Sequence, residues 1–74
     1  LTELAQLSSR EKDVLAHFAH GLTYSQIGRK LGIAVSTVDT YMRRVRAKTG
    51  AVNTAELVRL GLQIDWPRDQ PAAG

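Results

Sequence analysis

The residues of this 74-residue chain best suited to chemistry lie in one stretch, from Ser36 to Lys48. At about 100° per residue on a helix, Ser36, Thr40, Arg43 and Ala47 share a face, with Asp39 and Arg44 at its sides. Val38, Met42, Val45 and Thr49 fall opposite, and Tyr41 lies at the margin of that apolar stripe. A face that is small at its start and cationic further on suits approach to DNA base edges. Arg43 has the donors to pair bidentately with guanine O6/N7, Thr40 a methyl for thymine, and Ser36 a hydroxyl for either role. Arg44, Arg46 and Lys48 diverge around the helix and suit phosphates, with the Tyr41 hydroxyl beside them. Thr23, Tyr24 and Ser25 would form a second phosphate anchor at the start of a preceding helix, where backbone amides point outward. The plainer alternative for each of these residues is a solvated helix face.

Charge supports the first reading. Residues 21–55 hold Arg29, Lys30, Arg43, Arg44, Arg46 and Lys48 against one acid, Asp39, whereas the rest of the chain is mildly acidic. A basic middle in an acidic frame points to a localised polyanion-binding surface. Catalysis finds little support: there is no Cys. His17 and His20 share a helix face without a third ligand or a nucleophile, so they read as exposed histidines rather than metal ligands. No metal or cofactor is implied, and the chain does not read as an enzyme. Few aromatics are present to stack on RNA bases. No apolar run approaches the ~18 residues of a membrane helix, and no membrane partner is expected. Absence of Cys fits a reducing cytoplasm.

These residues need a scaffold, and the chain announces an all-α, compact four-helix domain with a helix-turn-helix made by its second and third helices. Ser8 with Glu11 has capping-box spacing and opens the first helix, whose Val14, Leu15, Phe18 and Ala19 recur at helical intervals up to Gly21. Thr23 with Gln26 repeats that signal for a second helix carrying Ile27 and Leu31 inward. Gly28 on it suggests close approach of another helix. Gly32 marks the turn, and the third helix spans residues 35–49, ending at Gly50. Asn53 with Glu56 opens a fourth. There Leu57, Leu60, Gly61 and Ile64 form a core stripe, while Ala55, Val58 and Leu62 form a second apolar stripe suited to a partner. The absence of Met at position 1 suggests a fragment or processed chain. Residues 1–6 read as a linker remnant, 7–65 as the domain, and 66–74 as a disordered tail.

Residues 7–64 resemble the LuxR/NarL-type (GerE-type) helix-turn-helix family. The opening Leu7-Ser8-Ser9-Arg10-Glu11 with Val14-Leu15 resembles the family's Leu-Thr-x-Arg-Glu element. Gly21-Leu22 and Ile27-Gly28 match its Gly-Leu…Ile-Ala, and Thr37-Val38, Tyr41, Val45, Lys48 and Gly50 match its recognition helix. The resemblance implies a C-terminal effector domain of a transcription regulator that binds double-stranded DNA. It implies an N-terminal regulatory domain, of receiver or ligand-sensing type, in the full-length chain. It implies homodimers on paired half-sites, held through the fourth helix, and places Asp39, Thr40 and Arg43 among base-facing positions; contact with RNA polymerase is left open. The sequence departs from the family pattern at Ala34, where a Ser or Thr cap is usual, and at Asp39, a position often basic or polar. Asp39 could accept from cytosine N4, repel phosphates or favour the helix dipole. Tyr41 replaces a His, Thr49 an apolar residue, Thr54 an Arg, and Ser25 a frequent Lys. A sigma-factor-like promoter-recognition region and a helical interaction module are the alternative functions.

Overall fold

A computed structural model describes residues 2–64; the tail expected over residues 66–74 lies outside them. The described residues form helices and connections without a strand. The four expected helices are present as α2 (Ser9–Ala19), α3 (Tyr24–Leu31), α4 (Val35–Thr49) and α5 (Thr54–Gly61). A single additional turn precedes them, α1 (Thr2–Ala5), from which Leu4 packs against the core. Sequence periodicity does not reveal so short an element.

Each start has a local cause. The Ser8 hydroxyl accepts from the Glu11 amide at 3.1 Å, and the Glu11 carboxylate accepts from the Ser8 amide at 2.9 Å. Thr23 and Gln26 do the same at 3.1 and 2.8 Å. Two orphan donors are satisfied at each helix start. At α5 the Asn53 side-chain oxygen Oδ1 accepts from the Glu56 amide, but the Glu56 carboxylate reaches one residue further back, to the Val52 amide at 2.9 Å. α4 follows Ala34, an N-cap residue whose side chain makes no capping hydrogen bond.

The apolar stripes converge on one core of Leu7, Val14, Leu15, Ile27, Val38, Met42, Val45 and Leu57. Each such side chain contributes ~1.5–3 kcal/mol by leaving water. α2 is the central element, packed on α4 and α5, while α3 packs on α4. Gly32 ends α3 in the left-handed conformation, φ 71°, and turns the chain within three residues into α4. Gly28 is required for a reason other than the one expected. A Cβ there would stand 2.6 Å from the Ile33 carbonyl oxygen, so it is the turn's own backbone, not another helix, that demands glycine. The helix-to-helix approach occurs instead at Gly61, where a Cβ would stand 2.5 Å from the Ala19 Cβ and 2.8 Å from the Leu15 carbonyl oxygen.

Candidate nucleic-acid interface

Two helices joined by a short turn hold the candidate site, and the second divides cleanly. Val38, Met42 and Val45 are fully buried, while Ser36, Thr40, Arg43 and Ala47 are exposed together on the far side. Thr49, in place of an apolar residue, keeps its hydroxyl satisfied locally: it donates to the Val45 carbonyl at 2.8 Å and accepts from the Ala51 amide at 3.2 Å. α4 is therefore pinned by its inner stripe and presents its outer face as a ridge.

On that ridge, the Thr40 hydroxyl donates to the Ser36 carbonyl at 3.1 Å, which leaves its lone pairs and methyl for a ligand. Arg43 pairs through Nε with Asp39 Oδ2 at 3.0 Å, one turn back on the same helix. Arg44 lies over the Tyr41 ring, 5.9 Å from its centroid. The half-buried Tyr41 packs against the core. Arg46 is exposed near the end of the helix. Val35, at the first position of α4 beside Ser36, is about half exposed, an outward apolar residue that periodicity assigned to no role.

Lys48 has a partner that no local pattern indicates. Its ammonium donates to Glu11 Oε1 at 2.8 Å across 37 residues of sequence. The Glu11 side chain is 3% exposed, that of Lys48 38%. Burial alone would push the Glu11 carboxyl up, but the Lys48 ammonium and the Ser8 N–H and hydroxyl together hold it below its ordinary value of 4.5. One carboxylate oxygen thus caps α2 and ties down the last turn of α4. The phosphate contact expected of Lys48 must be made by an ammonium already hydrogen-bonded inward.

At the other end of the site, the Thr23 hydroxyl accepts the α3 cap bond from the Gln26 amide. The Tyr24 ring meets Phe18 edge-on, with centroids 6.1 Å apart, and Ser25 is exposed. The amides of Tyr24 and Ser25, in the first turn, have no acceptor within the helix. On α5, Ala55 is exposed, Val58 half-buried and Leu62 56% exposed, while Leu57 and Gly61 are buried. Val52, 80% exposed in the preceding loop, is a further outward apolar residue.

His17 corrects the sequence reading. It is 3% exposed rather than solvated, with Nδ1 hydrogen-bonded to the Asp13 carbonyl at 2.7 Å. His20 is exposed and meets the Ala16 carbonyl at 2.8 Å. Backbone one turn back on α2 draws both rings along the helix. Among the described residues no group of three or more His, Asp or Glu side chains is placed to hold a metal. None of their helices is long and apolar enough to cross a membrane.

A pinned inner stripe, a cationic outer ridge and a three-residue turn from a capped helix define a helix-turn-helix domain of the nucleic-acid-binding class. The chain belongs, more particularly, to the luxR family of bacterial regulatory proteins (GerE), whose pattern matches residues 5–61. It is 42% identical over 66 residues to the transcriptional activator protein EsaR of Pantoea stewartii, covering 89% of this chain and 26% of that protein. It is 48% identical over 50 residues to the C4-dicarboxylate transport transcriptional regulatory protein DctR of Rhodobacter capsulatus, covering 68% and 25%. To the transcriptional regulatory protein FixJ of Azorhizobium caulinodans it is 41% identical over 59 residues, covering 80% and 28%. The chain therefore spans about a quarter of the length of these curated relatives. No solved structure matches it.

Proposed function

We propose that the chain binds double-stranded DNA sequence-specifically, as the C-terminal effector domain of a cytoplasmic transcription regulator, with α4 in the major groove. The separation of α4 into a buried stripe and an exposed Ser36/Thr40/Arg43 face carries this reading. In the proposed complex Ser36, Asp39, Thr40 and Arg43 face bases. Arg44, Arg46, Lys48, Tyr41 and the Thr23–Ser25 start of α3 face phosphates. The relatives, named as activators and regulators of transcription, support the same role. Their greater length fits a regulatory domain elsewhere in a full-length chain. Ala55, Val58 and Leu62 on the outer side of α5 are the proposed contact between two copies on paired half-sites, and RNA polymerase is a further partner for the assembled regulator.

Titration against duplexes selected from a random pool, at several salt concentrations, tests the proposal. Log affinity should fall against log salt with a slope of about −0.9 per phosphate neutralised. Absent or salt-insensitive binding to every duplex overturns it.

A further inference from the structure

We propose that Asp39 is a positioning residue that sets the guanidinium of Arg43 for one guanine in the groove; this rests on the DNA-binding reading above. Arg43 carries five N–H donors, and the 3.0 Å contact to Asp39 Oδ2 engages Nε alone. Both terminal nitrogens remain, and their outer edge supplies the two parallel donors that guanine O6 and N7 accept. The acid is the shorter and less exposed end of the pair: its side chain is 41% exposed and that of Arg43 77%. It lies four residues N-terminal to its base, the favourable orientation on a helix. Other groups on the ridge do not compete for this carboxylate. The Thr40 hydroxyl donates to Ser36, and the Arg44 guanidinium lies over Tyr41.

An ion pair this exposed adds little to folding. In the groove, an acid also repels phosphates and so lowers affinity for any duplex. Asp39 gains for binding only where Arg43, held in one plane, meets the base that fits it. It therefore acts on general affinity and on base preference with opposite signs, which a merely structural residue does not do.

The test uses the whole 74-residue chain as wild type, Asp39→Ala and Asp39→Glu, on a selected duplex and on copies substituted one base pair at a time. Wild type should prefer guanine at one position per half-site. Asp39→Ala should narrow that preference roughly three- to tenfold, the scale of one side chain's lost ordering, while binding the guanine-substituted duplex more tightly than wild type does. Asp39→Glu should restore most of the preference. Equal gains by Asp39→Ala on both duplexes overturn the proposal. So does loss of a cytosine preference with the guanine preference intact, since Asp39 would then read a base itself. Either result leaves the DNA-binding reading standing, whereas a wild type that selects no duplex removes both.

Discussion

Among the described residues α4 contributes to two acid–base pairs, one near its middle and one in its last turn, on different sides of the helix. Lys48 reaches inward to a carboxylate on another helix that is 3% exposed, and Arg43 reaches along the surface to Asp39, which is 41% exposed. Their lengths are nearly equal, 2.8 and 3.0 Å. Distance therefore says little about what each pair does; the dielectric around it says more. The inner pair fastens the end of α4 to α2. The outer pair is worth only a few tenths of a kcal/mol to folding, so the role proposed for it lies in binding rather than in stability.

The sharpest way to break this contrast is to strand the buried acid. Lys48→Met should cost about 1–2 kcal/mol in urea unfolding, because it leaves a buried carboxylate without its cation, less than for a fully buried pair since water reaches the Lys48 side and Ser8 still donates to Glu11. Glu11→Gln, which releases Lys48 to water, should cost less. The same pair makes stability depend on acid. The Glu11 carboxyl titrates below 4.5 when folded, so its contribution is complete above that value and is lost as pH falls through the lower, folded one. Glu11→Gln should flatten this part of the profile, and an unchanged profile would remove Glu11 as its source.

Smaller effects belong to the outer side. Arg43→Ala should cost ~1–3 kcal/mol of discrimination at one base pair and leave unfolding within ~0.5 kcal/mol of wild type. Equal weakening on all duplexes would make Arg43 a phosphate contact. Ala34→Ser should stabilise the domain by ~1 kcal/mol by supplying the absent cap of α4, read as a raised urea midpoint. No gain would mean that the α4 amides are already satisfied.

What could be read from the chain was what is local in it. The boxes at Ser8/Glu11 and Thr23/Gln26, the bare start at Ala34 and the two sides of α4 each depend on residues within a turn or two, and each is found in place. Contacts between distant segments were not legible. Nothing near Lys48 announces Glu11, 37 residues earlier, and one glutamate assigned to a cap gave no sign of a second use. His17 falls in the same class, since its burial depends on the chain that folds over α2. Gly28 was recognised as a tight place, but only the turn's path shows that the obstacle is the Ile33 carbonyl. The Asp39–Arg43 pair was within reach of the sequence, being an acid four residues before a base.

At Gly61, α5 rests on α2 with no room for even a methyl. This close contact limits how deeply α5 seats, and with it the tilt at which its outer residues Val58 and Leu62 stand. In a two-copy assembly joined there, the separation of the two recognition helices would inherit that tilt, magnified by the lever arm of the whole domain. The spacing of half-sites such an assembly accepts would then be tuned from a backbone contact that touches neither DNA nor partner.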